Sequence, residues 1–200
     1  MRKLVYFSQK DPQWKDIMYS IWNEKKQTIG TSACGPTSVA MVISTLTGHT
    51  VLPPKAATYA LNNGYRTIDD GTSWDFFASI AKRYGIACTQ TDSLSKVKKA
   101  LGNGKIVIAS MDMGNFTSGG HYILLVGITG KNGDTWIDVF DPNHDNSNYG
   151  TDGLIDQGIK NDGKVSAKEI VFVKQAKQYW IFSQQTMEDN SMNAEEKKVF

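Results

Sequence analysis

Hydrophobic positions change their period halfway along the chain. Val39, Val42, Ile43 and Leu46 recur at i, i+3, i+4 and i+7, which sets them on one face of a helix of 3.6 residues per turn. The spacing predicts a helix over 35–47, with Pro36 accommodated in the first turn and Gly48 as the stop. Trp74, Phe77, Ile80, Ala81 and Tyr84 repeat the pattern, with Ser73 as N-cap and Gly85 as stop. A shorter helix is expected over 93–101, ended by Gly102, and a weaker pattern marks 55–61.

Beyond Lys105 the runs become short and β-rich, at 106–111, 121–128 and 135–140. The last two flank Gly130-Lys131-Asn132-Gly133-Asp134 and predict an antiparallel hairpin. A polar loop over 141–164 precedes further strand-like sequence at 170–173 and 178–182. Helices first and strands later imply an α+β fold with helices packed on an antiparallel sheet. No internal repeat is present. The sequence turns polar near Gln184, and 191–200 has the pattern of a helix start, so a domain over 1–183 is expected, with 184–200 a tail or the start of a linker.

Composition narrows the function classes. Two hundred residues, 40% hydrophobic and 21% charged, suit one ordinary globular domain. A net charge of +2 is too small for a nucleic-acid binder, and Lys96, Lys98 and Lys99 read as a solvated helix face. No apolar run approaches the roughly 20 residues of a membrane span. The apolar stretch after Arg2 and Lys3 stops at Ser8, too short for a signal peptide. The two cysteines, Cys34 and Cys88, form neither a disulfide framework nor a C-x-x-C pattern.

Cys34 stands in Ala33-Cys34-Gly35-Pro36-Thr37-Ser38, where the first helix begins. Free N–H groups and the positive end of the helix dipole favour a thiolate there and can bring a thiol pKa to roughly 3.5–7.5. Cys88, in the strand-like Ile86-Ala87-Cys88-Thr89, reads as structural. A hairpin loop centred on Lys131 sets His121 opposite Asp141, close enough for the carboxylate to orient the imidazole. A tight Asn132-Gly133 turn instead pairs Leu124 with Asp141 and turns the aspartate to the other face. The longer loop is the one expected here. It makes Cys34 the nucleophile, His121 the base and Asp141 the orienting residue, with His144 in reserve as base and His49 a surface residue.

Tyr6-Phe7-Ser8-Gln9-Lys10-Asp11-Pro12-Gln13-Trp14, Ala33-Cys34-Gly35-Pro36-Thr37-Ser38-Val39-Ala40-Met41, Gly120-His121-Tyr122 and Asp141-Pro142 together resemble the stand-alone branch of the bacteriocin-processing-like (double-glycine leader peptidase-like) cysteine peptidases. The resemblance spans about residues 4–183. It implies a papain-like fold, with the nucleophile at a helix N-terminus packed on an antiparallel sheet that carries His and Asp. It also implies the same Cys34, His121 and Asp141. Leader-cleaving members carry an oxyanion-hole glutamine six residues before the cysteine, where this chain has Thr28; Gln9 is the expected substitute, ahead of Gln27.

No cofactor is expected. Asp141, Asn143, Asp145, Ser147 and Asp152 approximate a calcium-loop spacing, but Asn146 stands at the turn glycine, and Cys34, Cys88 and the three histidines lack zinc-ligand spacing. The expected substrate is a bacterial cell-wall peptide, as for a phage lysin or wall hydrolase acting at the wall with a downstream wall-binding domain. Processing of a peptide or protein such as a Gly-Gly leader is the alternative. Acyl transfer on the same scaffold and an idle binding domain are further readings.

Overall fold

The computed structural model of the protein describes residues 3–68 and 71–185. The helices α1 (Ile29–Ser32), α2 (Cys34–Thr47), α3 (Pro53–Asn62) and α4 (Asp75–Arg83) come first. Then follow β1 (Ile86–Thr91), α5 (Leu94–Gly102), β2 (Ile106–Met111), β3 (His121–Lys131) and β4 (Asp134–Phe140). A 3-10 turn (Ser147–Tyr149), β5 (Ile155–Asp156), β6 (Lys164–Lys168), α6 (Glu169–Gln175) and β7 (Ala176–Gln184) complete the order. The strands form one sheet in the order β1-β7-β2-β3-β4-β6-β5, antiparallel throughout.

Side chains alternate between two cores. Ile106, Ile108, Tyr122, Leu124, Trp180 and Phe182 pack with α1 to α4 on one face of the sheet. Val107, Ala109, Ile123, Leu125, Ile137 and Val139 pack with α5 and α6 on the other. Every residue of β2 is therefore buried, and its unbroken apolar run is the signature of a strand covered on both faces. Trp180 closes the first core against Phe77, ring centroids 4.4 Å apart.

The helix patterns correspond closely to α2, α3, α4 and α5, except that Trp74 rather than Ser73 caps α4. The expected strand at 170–173 is instead part of α6. Val171 and Phe172 are buried while Ile170 and Val173 are exposed, so packing under the sheet overrides the β-propensity of this run. The tail from residue 186, with its expected helix start, lies outside the described residues.

The hairpin also departs from expectation. Lys131 pairs with Asp134, and Asn132 and Gly133 both have positive φ (54° and 83°), as a tight two-residue turn requires. Continued without interruption, that register would set Asp141 opposite Leu124, on the face away from His121. A β-bulge between Leu125 and Gly127 shifts the pairing, so that Leu125 opposes Val139 and Leu124 opposes Phe140. One extra residue on β3 reverses the alternation. Leu125 before the bulge and Ile128 after it pack in the same core, with Ile137 and Val139. The bulge thus returns Asp141 to the face of His121 and Ile123, diagonally across from the histidine.

Candidate active site

Cys34 is the first residue of the 14-residue α2, half-buried at the floor of a cleft of about 600 Å³ that His121, Arg66, Thr72 and Trp74 also line. First-turn N–H groups have no partner inside the helix, and the Gly35 and Tyr122 N–H groups both serve the sulfur. Gly35 is needed for this approach: a Cβ there would lie 3.2 Å from the Tyr122 ring and 3.3 Å from Thr72 Cβ. Thr72 is clamped on the other side by Tyr19, hydroxyl to hydroxyl at 2.7 Å, and its carbonyl accepts from the Tyr122 hydroxyl at 2.7 Å.

His121 opens β3, at the end of the sheet where α2 begins. Its Nε2 lies 2.7 Å from Asp141 Oδ1, which leaves Nδ1 for the Cys34 sulfur. Burial pushes the Cys34 thiol up, but hydrogen bonding and charge from His121, with the Tyr122 and Gly35 N–H groups, outweigh it and hold the thiol below its ordinary value. Burial depresses His121 in turn, yet the Asp141 carboxylate and the Cys34 sulfur raise it to about 10. These shifts reverse the usual order of the two groups and favour a thiolate–imidazolium pair near neutral pH. Cys88, by contrast, is pushed up to about 12 by burial alone and stays a thiol.

Asp141 is fully buried and saturated with donors. Besides His121, its Oδ1 accepts from the Asn143 N–H at 2.8 Å. Its Oδ2 accepts from Asn146 Nδ2 and from the Tyr149 hydroxyl, each at 2.9 Å. Its own N–H donates to the Gly163 carbonyl at 2.7 Å, and its carbonyl accepts from the Tyr6 hydroxyl at 2.8 Å. Four donors fix this buried carboxylate so that it cannot rotate away from the ring.

Gln9 is buried, and its Nε2 donates to the Gly30 carbonyl at 2.8 Å. Gly30 lies one helical turn before Cys34, and Gln9 is not among the residues that line the cleft, whereas Gln27 is. His144 is turned to the Ser8 hydroxyl at 2.7 Å, and His49 is exposed. The carboxylates of the calcium-like spacing diverge: Asp145 pairs with Lys10, and Asp152 accepts from Asn115 at 3.0 Å. Sequence reasoning missed Asn146, Tyr149 and Arg66. The first two sit in the polar loop after Asp141, where Asn146 registered only as a departure from a calcium pattern.

Residues 4–180 match the Peptidase_C39 like family. Three solved structures share the fold at low sequence identity. A C39-like peptidase from Bacillus anthracis aligns with TM-score 0.56 at 14% identity, over 92% of this chain and 96% of that one. The peptidase domain of Streptococcus ComA, a bifunctional ABC transporter of a quorum-sensing pathway, gives 0.53 at 16%, over 78% and 93%. A double glycine motif protease from an AMS/PCAT transporter, in complex with its leader peptide, gives 0.50 at 19%, over 92% and 99%. A comparison with curated proteins gave no match. Among the described residues no helix is long and apolar enough to cross a membrane. With its family match running over nearly the whole chain and its helix-on-antiparallel-sheet architecture, the protein belongs to the Peptidase_C39-like family and is a papain-like cysteine peptidase.

Proposed function

We propose that Cys34, His121 and Asp141 form the catalytic triad and hydrolyse a bond in a peptide laid across the cleft. The observation that carries this is the 2.7 Å contact between His121 Nε2 and the buried Asp141 carboxylate, which frees Nδ1 for a sulfur held at a helix start. The thiolate attacks the scissile carbonyl carbon, and the carbonyl electrons move to oxygen. The Cys34 N–H is the proposed oxyanion donor, and Gln9, whose Nε2 rests on the Gly30 carbonyl outside the cleft lining, would join it by turning toward the sulfur. The His121 imidazolium gives its proton to the leaving amine as the tetrahedral adduct collapses to a thioester. Water, deprotonated by His121, then cleaves the thioester and restores Cys34.

Likeness in fold to a double glycine motif protease bound to its leader peptide supports an extended peptide or protein substrate. Thr28, at the place of the leader peptidases' glutamine, argues against a strict Gly-Gly leader. The cell-wall peptide expected from the sequence is therefore the competing arm of the test. The protein and its Cys34→Ala variant are each incubated with a peptide library and with purified bacterial walls, and new termini are identified by mass spectrometry. New termini in the library from the unaltered protein alone are the expected result. Termini from walls alone would replace the substrate class. Termini produced equally by Cys34→Ala would overturn the mechanism.

A further inference from the structure

Arg66 lines the cleft beside Cys34 and His121, and the mechanism above does not use it. The side chain is 4% exposed and rigidly held. Its Nε donates to the Tyr19 carbonyl at 2.9 Å, and its Nη1 to the Thr67 and Gly71 carbonyls at 2.5 and 2.9 Å. The guanidinium carbon also lies 4.9 Å from the Tyr19 ring centroid. All of these partners are dipoles or a ring face, none an anion. Nη2 has no protein acceptor among the described residues. Nor does any Asp or Glu line the cleft among those residues, and the cleft's other permanent cation, Lys177, is paired with Asp112 at 3.1 Å.

A guanidinium buried without a carboxylate is costly unless a counter-charge arrives from elsewhere. Tyr19 and Cys34 are the groups whose ionisation would favour the Arg66 charge; burial keeps Tyr19 a neutral phenol, and the Cys34 thiolate is already balanced by the His121 imidazolium. Among the described residues of the cleft one cation is left over, on the wall that a substrate would meet. Three hydrogen bonds through Nε and Nη1 fix the guanidinium plane, so Nη2 is held in place to donate to a carboxylate. We propose that Arg66 is a carboxylate-binding subsite, so that the favoured substrate carries an acidic side chain or a free carboxylate next to the scissile bond. The word substrate here rests on the peptidase reading; the subsite itself is testable without turnover.

The test uses Cys34 as reporter in a Cys88→Ala background. Its alkylation rates with iodoacetate and with iodoacetamide are compared; in both the thiolate displaces iodide, and only one reagent carries a carboxylate. The ratio of the two rates should exceed that of a small free thiol by about tenfold or more. Arg66→Met should lower the ratio about fivefold, and Arg66→Lys, which keeps the charge but loses the fixed guanidinium, should lower it by less. A ratio in the unaltered protein equal to that of the free thiol would overturn the proposal even if Arg66→Met failed to fold. An equal fall of both rates in Arg66→Met would overturn it too, by assigning Arg66 to the thiolate. A parallel arm compares kcat/KM for peptides that differ only by Glu or Gln beside the cleaved bond. Preference for Glu that Arg66→Met abolishes supports the subsite, and absence of that preference overturns it. If no peptide is cleaved by any form, the peptidase reading fails while the alkylation ratio still decides the subsite.

Discussion

Asp141→Asn isolates the charge that holds the site in its reactive state. The substitution preserves shape, so its effect is chiefly electrostatic. Charge centres of the His121–Asp141 pair, joined by a 2.7 Å contact, lie about 4 Å apart, worth about 4 kcal/mol at an effective dielectric near 20. Removing that attraction lowers the His121 pKa by about three units, against a folded value of about 10. The ring is then only about half protonated near pH 7, and Cys34 loses much of the imidazolium that holds its thiol down. Expressed fully in the transition state, about 4 kcal/mol is about a 10³-fold loss of kcat/KM. The carboxamide also brings a donor among donors, since Asn143, Asn146 and Tyr149 all point hydrogens at this group. That should cost about 1–3 kcal/mol of stability. The pH dependence follows from the sign of the shift. A raised His121 stabilises the fold fully below its ordinary 6.5 and loses that contribution as pH rises toward about 10. The variant should lack this loss. The assays are the pH profile of Cys34 alkylation by iodoacetamide, whose onset should move to higher pH, together with kcat/KM and Tm across the same range. An unmoved onset with kcat/KM within tenfold of the unaltered protein would refute the reasoning.

Cys34→Ala should abolish turnover, a loss on the order of 10⁶ in kcat, and Cys88→Ala should remain active; peptide cleavage by the two variants measures both. Gln9→Ala should lower kcat about 10²-fold or more if it supplies an oxyanion donor, while Gln27→Ala should act mainly on KM. The reverse pattern in steady-state kinetics would move the donor to the cleft wall. Gly35→Ala pushes a methyl against Tyr122 and Thr72 at 3.2–3.3 Å. The displaced sulfur should cost about 10²-fold in kcat, with a smaller effect on KM.

Helices α2 to α5 were legible because their apolar residues recur at helical spacing, and Cys34 was placed at a helix start by the period of Val39, Val42, Ile43 and Leu46 together with Pro36 and Gly48. Run 170–173 misled because Ile, Val and Phe favour strands locally, while burial of only Val171 and Phe172 decides the outcome. The nearness of His121 and Asp141 was expected from a wrong register. A tight Asn132-Gly133 turn and a bulge offset each other's effect on which face Asp141 occupies, and pattern reading that assumes unbroken pairing detects neither. The sequence does carry one trace of the bulge in Gly127, a glycine inside an otherwise apolar strand. A Cβ at that position would come within 2.7 Å of Asp138 Oδ2. Arg66, Asn146 and Tyr149 act through contacts across 47, 5 and 8 residues of chain, and no local period records those.

The position of β7 governs when the enzyme comes into being. This strand comes last among the described elements yet lies between β1 and β2. Until Ala176–Gln184 is made, the sheet exists only as separate pieces: β1 has no partner strand, and Ile106 to Met111 lack one of their two neighbours. Trp180 arrives on the same strand and packs against Phe77 and Tyr122, and Tyr122 supplies an N–H to the Cys34 sulfur. A nascent chain that has emerged from the ribosome through Asp141 thus carries Cys34, His121 and Asp141 without the strand that locks them in place. Such pairings between distant segments form late and cooperatively. Chains cut short before residue 176 should therefore be inert fragments rather than rogue peptidases, with activity appearing only once β7 has been made.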